Sequence, residues 1–436
     1  MSPLPRPFKF LKREDGSMTL FGLYFIAIAM VVGGYAVDMA SVNVSREKLQ
    51  ATADAVAHAA IYNRDSGSED AAITAALEMA EDWMPYANYG KVITSTDVVF
   101  GSWDYNTQTF TEDSNLSDAV RVTATLSKSR GNPVRALMLQ FSDDNSWDLT
   151  AESVFTTYIP DCLREGFVGE GVVDLQSNNS FASGFCVHSN SYVSLNNNNS
   201  FGAGTVVSMP DADLLDINRN GFLKNPGLES ALREGSYNIR ILNQIESIID
   251  GLLYANDAYL PDYINGAAWL GINNLNLTAS EFTPGRVHYL YCSSGNTANF
   301  NLGGTPLSEV VLITNCKISF GDGSVIEDSI IATTSTDSRS ISGPNGIQVG
   351  AADDCGAGGG ATLITKGGMR FASGLALQGG RLIAAGDISF AAQASGIKGA
   401  SIIAGGTIDG TSNTTMEFCG TGMEANYEAM YFRLAS

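Results

Sequence analysis

Positive charge is in short supply. Twenty-five Lys and Arg stand against 46 Asp and Glu, a formal net charge of −21. A surface of that sign repels phosphate backbones and argues against a nucleic-acid partner, while favouring solubility and the attraction of divalent cations. Histidine is scarcer still, with three in the chain, His58, His188 and His288, none with the neighbours of a catalytic triad. No G-x-S-x-G, no phosphate-binding loop and no zinc-ligand spacing occurs, so the common routes to nucleophilic, phosphoryl and metal-assisted chemistry lack their sequence signatures. Cysteine is missing from the first 161 residues. Charged residues are few (16%), against 46 Gly and many Asn, Ser and Thr, a texture of extracytoplasmic β proteins rather than of cytosolic enzymes.

What is present begins with one uncharged run, Gly16–Val37. As a helix it reaches roughly 33 Å, enough to cross a hydrocarbon core of about 30 Å. Asp38 closes the run, yet Val42, Leu49, Ala53, Val56, Ala57 and Ala60 continue at spacings of three, four and seven. The pattern predicts one rod to about Ile61, half in lipid and half standing out of it. Arg6, Lys9, Lys12 and Arg13 precede the span, whereas only Arg46 and Lys48 follow it closely. The bias places residues 1–15 in the cytoplasm and everything after Asp38 outside. The run exceeds a signal-peptide core and lacks a clear A-x-A site, so the expectation is a retained anchor.

Asp38, Arg46, the pair Leu49-Gln50, the pair Asp54-Ala55 and the Ala-rich stretch Ala57–Ala60 resemble the N-terminal segment of TadE/TadG-like proteins of the tight-adherence (Flp) pilus-assembly system. Gly101–Asp104 and Asp118–Thr123 are similar to the sheet that follows this helix in TadG-like proteins. The resemblance covers about residues 10–160. It implies a single-pass protein of the inner membrane of a Gram-negative bacterium, its bulk periplasmic or exported to the surface. Its implied partners are the lipid bilayer and other Tad/Flp membrane proteins. Processed pilins carry a Glu five residues beyond a cleaved Gly; here that residue is Phe21, which places the resemblance with the unprocessed branch.

The expected fold class is α+β. After a turn at 63–67, Glu69–Met84 reads as an amphipathic helix stopped by Pro85, packing on the first. Alternation at a period of two then predicts strands at 97–104, 108–111, 119–127 and 147–158, with a short helix at 134–141. Trp103 and Trp147 read as core aromatics. Residues 38–160 thus form a pilin-like module, a long helix on an antiparallel sheet.

Beyond Cys162 a repeat appears. Leu175–Gly184 recurs as Leu195–Gly204 and Arg381–Gly386 as Ser401–Gly406, both at a shift of 20. Gly367–Phe371 is echoed by Gly386–Phe390. Short apolar strands between Gly, Asn and Asp turns predict the stacked coils of a β-helix-like solenoid over 161–436. Asn178, Asn179, Asn198 and Asn199 fall at its turns, where Asn tolerates left-handed backbone, and form either a structural ladder or a sugar-binding strip. A helical insertion is expected at about 210–284, with one helix over 229–254 and a weaker one over 257–271.

Asp216, Asn218 and Asn220, followed by Gly221 and Phe222, match the first half of a calcium loop, with Glu229 in place of the missing twelfth ligand. Ca²⁺ is the one cofactor these oxygens would take; an acidic turn without metal fits the same residues. Asp353-Asp354 resembles the paired acids of polygalacturonase-type hydrolases, but a Gly-rich run follows and the partner motifs are missing. The six cysteines, Cys162, Cys186, Cys292, Cys316, Cys355 and Cys419, lie on the side read as oxidising and allow 15 pairings or free thiols. Proximity alone favours Cys292–Cys316 and Cys355–Cys419. The expected function is a non-catalytic, membrane-anchored component of Flp pilus assembly or adhesion, with Gly33, Gly34, Ala36 and Ala40 permitting close helix approach. The alternative is an ectodomain that binds or processes carbohydrate, a glycan or host surface being its partner.

Overall fold

One helix, α1 (Ser17–Arg64), carries the first half of the sequence pattern into the second without a break. The computed structural model describes residues 17–436 except 66, 114–115, 139, 141–144, 257, 267, 294 and 421–426; the cytoplasmic tail read at 1–15 lies outside them. From Met18 to Val37 α1 is almost bare of protein contact. Beyond Asp38, Val42, Leu49, Ala53, Val56, Ala57, Ala60 and Ile61 form a buried stripe. Removing one such Leu from water contributes about 1.5–3 kcal/mol.

The chain divides into two units, Met1–Tyr158 with Met430–Ser436, and Ile159–Ala429. In the first, α2 (Glu69–Trp83) starts at Ser68, whose hydroxyl accepts from the Ala71 amide at 3.3 Å, and Glu69 and Asp70 suit its N-terminal dipole. Ala72, Ala76 and Ala80, one turn apart, are its buried residues and meet the Ala-rich stripe of α1 in one core. Small side chains on both helices let the backbones approach closely.

Strands β1 (Val98–Asp104), β2 (Thr109–Glu112), β3 (Ala119–Leu126), β4 (Val134–Arg135), β5 (Ser146–Trp147) and β6 (Leu149–Tyr158) follow. An antiparallel sheet runs β2-β1-β3-β6 and is completed by Tyr431–Leu434, which pairs with β6 after the whole second unit has intervened. The sequence texture groups this last strand with 161–436, whereas its pairing with β6 joins it to the first unit. The inward residues Val120, Val122, Ala124 and Leu126 of β3 pack in the core that holds the α1 stripe. Trp147 packs against this core and Trp103 is half-buried.

The short helix expected at 134–141 is not formed at its start. Val134–Arg135 is instead extended and pairs antiparallel with Ser146–Trp147; residues 139 and 141 lie outside the described ones. Pro133 can open a helix or an edge strand, and here a partner strand satisfies the backbone.

In the second unit every strand pairing is parallel. Among the described residues one sheet has eleven strands, in the order 232–234, 206–209, 186–189, 166–169, 401–404, 380–384, 361–365, 329–333, 310–314, 286–290 and 270–272. A second, fifteen-stranded sheet takes the next stretch of each coil. The repeat of 20 is the stacking register: Phe181 lies beside Phe201, Leu175 beside Leu195 and Leu382 beside Ile402. Phe167, Phe181, Phe185, Phe300, Phe320 and Phe371 fill the space between the sheets, and Phe181 stacks on Phe201 at 4.8 Å.

Chain order and spatial order differ. The first coils stack outward from Gly166–Gly169 to Leu232–Glu234. The chain then reappears at the opposite edge, Leu270–Ile272, and returns coil by coil until Ser401–Ala404 pairs with Gly166–Gly169. Residues 235–269 must therefore travel about ten strand spacings, roughly 48 Å. The helix Arg240–Leu253 covers about 21 Å of this. Its apolar face, Ile241, Ile245, Ile248, Ile249 and Leu252, lies on strands 310–314, 286–290 and 380–384, so the central strands are buried on both sides.

The insertion is less helical than expected. The helix expected over 229–254 is broken, because Leu232–Glu234 adds as an edge strand to Val206–Met209 and helix resumes only at Arg240. Over 257–271 turns lead into Leu270–Ile272, and no helix occurs among the described residues there.

Candidate assembly site on the long helix

The family-type residues of α1 do two different jobs. Leu49 is wholly buried in the helix–sheet core, and Ala55 is half-buried. Gln50 and Asp54, one turn apart on the flank, form a bracket: the Gln50 amide donates to Asp54 Oδ1 at 2.9 Å and to the Glu152 carbonyl on β6 at 3.1 Å. Lys48 donates to the Tyr89 hydroxyl at 2.7 Å, fixing the segment after α2 to the same helix. Asp38 is fully buried although it directly follows the apolar run, and its Oδ1 accepts the backbone amides of Leu137 at 2.7 Å and Met138 at 2.9 Å. Periodicity could not reveal this contact, made across 99 and 100 residues.

The calcium-type residues do not fold as an EF-hand loop. That loop turns on a Gly at its sixth position. Here the left-handed residue is Asn220, while Gly221 opens a short helix (Gly221–Lys224) and is buried. Asp216 lies on an edge strand and accepts from the Ser194 hydroxyl at 3.1 Å; Phe222 is exposed and Glu229 lies in the first turn of another short helix. Among the described residues no group of three or more His, Cys, Asp or Glu is placed to hold a metal. Instead Asp216 belongs to an in-register column, Asp409–Asp174–Ser194–Asp216, on one sheet. Burial and then the neighbouring Asp409 raise the Asp174 carboxyl above its ordinary value.

Asp354 is exposed in left-handed backbone and pairs with Lys398, which holds its carboxyl below the usual range; Asp353 accepts the Gly356 amide at 3.1 Å. Each acid is thus engaged locally. His188 is buried between Ser208 (2.7 Å) and Asn190 (3.0 Å), and burial lowers its pKa. Asn178 and Asn198 adopt left-handed backbone, whereas Asn179 and Asn199 are buried. Asn179 and Asn199 therefore serve as a ladder inside the stack and present no strip to a sugar. The cysteines pair as Cys162–Cys186, Cys292–Cys316 and Cys355–Cys419. Buried Arg381, which composition gave no means of finding, donates to the Leu163 carbonyl at 2.9 Å.

These features set a Tad-like segment at the head of a longer chain: among the described residues one N-terminal helix is long and apolar enough to cross a membrane, it extends into a sheet-packed module, and a mostly β region of curled parallel sheets follows in sequence. The chain belongs to the family described as "Domain of unknown function (DUF7867)", which matches residues 166–420, and its residues 16–76 match the family "Putative Flp pilus-assembly TadE/G-like". No curated protein and no solved structure matches the chain.

Proposed function

We propose that the protein is a single-pass, membrane-anchored structural component of Flp/Tad-type pilus assembly or adhesion and performs no catalysis. One observation carries the reading. The Tad-like match coincides with a helix whose first half is bare apolar surface and whose second half is built into a sheet. A bare stretch of that length needs lipid or other helices around it. Gly33 has nothing within 4 Å of where a Cβ would sit, which suits close approach by a sibling helix. The helix-on-sheet unit is pilin-like in plan, and the 20-residue registers fit a parallel β-helix in which each coil depends on its neighbours. The N-terminus is cytoplasmic in this reading, with the cysteine-bearing unit in an oxidising compartment. Mild-detergent purification from the native membrane tests it: Tad/Flp membrane components co-purify with the full chain and are lost from a Gly33→Leu/Gly34→Leu variant. Recovery of the full chain without any Tad/Flp component would overturn it.

A further inference from the structure

Where the apolar run ends, a second piece of the chain is pinned to the helix. Asp38 is wholly buried, and its carboxylate holds the adjacent amides of Leu137 and Met138. Two amides on one oxygen fix the backbone of that turn, while the two residues are left 57% and 58% exposed. Ala136, just before them, is buried and donates its amide to the Asn145 carbonyl at 2.8 Å, so the base of the loop is closed. Arg135 is exposed on the same hairpin, and Trp147 pairs with Val134. The order along the loop is an arginine, then two outward apolar side chains, at the level of the residue that ends the candidate membrane span.

We propose that the first arm of this hairpin is a second membrane contact: Leu137 and Met138 enter the interfacial layer of the bilayer that holds α1, and Arg135 meets lipid phosphate. The occupant follows from position. The Leu137 and Met138 amides lie within hydrogen-bond distance of Asp38, one residue beyond the apolar run, and a lipid-crossing α1 puts that level at the membrane–water boundary. Paired apolar side chains beside a long cationic one match the chemistry of that layer, where Arg extends its head to the phosphates. Asp38 then has a purpose beyond folding. It is the acceptor for two amides at the membrane–water boundary, and so ties the hairpin to α1 at the level where the span ends.

The inference rests on the membrane-anchor reading, and the test separates the two. The full chain is reconstituted in phosphatidylcholine–phosphatidylglycerol vesicles, and Leu137→Trp, Met138→Trp and Phe25→Trp variants are compared with the parent using lipids brominated near the headgroup. Each loop variant is expected to show added emission that is blue-shifted and lost in brominated lipid, and Phe25→Trp to be quenched by lipids brominated deeper in the chains. Asp38→Asn keeps an acceptor and is expected to retain quenching at 137 and 138, whereas Asp38→Ala frees the Leu137 and Met138 amides and loses it. Unquenched loop tryptophans beside a quenched Phe25→Trp would overturn the second contact and leave the anchor standing. An unquenched Phe25→Trp would overturn both.

Discussion

Thr414 and Asn179 are separated by 235 residues of chain, yet the Thr414 amide donates to Asn179 Oδ1 at 3.2 Å. The same asparagine donates its side-chain amide to the carbonyls of Gln176 and Thr411, and its own backbone amide donates to Asn199 Oδ1. Asn199 in turn is served by Asn225, whose Oδ1 accepts its amide at 2.8 Å. One column of buried amides therefore crosses the seam at which the last coil closes on the first. Asn179→Leu has nearly the same volume but strands the Thr414 amide and removes a donor from the Gln176 and Thr411 carbonyls. It is expected to lower the stability of the second unit by about 1–3 kcal/mol in denaturant titrations of the full chain. Asn178→Gly, at a left-handed position with φ 64° that Gly adopts freely, stays within about 0.5 kcal/mol of the parent.

The contact between α1 and α2 depends on smallness. Ala76 is fully buried in the middle of the α2 face. Ala76→Leu adds three carbons where the two helices have no space and costs about 1–3 kcal/mol, read as earlier loss of the first unit's transition. Ala76→Ser, nearly isosteric, costs less. An Ala76→Leu variant as stable as the parent would mean that α2 does not seat on α1 as described.

The acidic column gives a pH dependence. Burial and the Asp409 and Asp216 charges raise the Asp174 carboxyl above its ordinary 3.8. The folded chain therefore binds that proton more tightly than the unfolded chain. The stability contributed by this group is greatest below pH 3.8 and falls as pH rises through the higher folded value. Asp174→Asn removes the titration. It is expected to raise the neutral-pH unfolding midpoint and to lose that advantage below pH 3.8. Identical midpoint shifts at both pH values would contradict the repulsion.

How much of this was legible in the sequence depended on the range of the interactions. The rod from 17 to 64 was readable because its pattern is local, and the coil register was readable because the repeat of 20 brings like residues together. The break at Leu232–Glu234 was not, since those residues suit a helix and become a strand only because Val206–Met209 offers a free edge. Val134–Arg135 likewise becomes a strand only because Ser146–Trp147 offers it an edge. Around the site, the residues of α1 could be named in advance, but not their tasks. Leu49 followed from periodicity, whereas the grip of Asp38 on Leu137 and Met138 joins segments that share no local signal. The calcium-type spacing was present in Asp216, Asn218 and Asn220, but Asn220 takes the left-handed turn that an EF-hand gives to Gly.

The claim on which the account turns is that α1 is kept and held in lipid. Intact-mass measurement of the protein from carbonate-washed membranes, with N-terminal peptide mapping, tests it most directly. The account predicts a membrane-pellet species that retains Gly16–Val37. A soluble species beginning beyond Ala36 would contradict it.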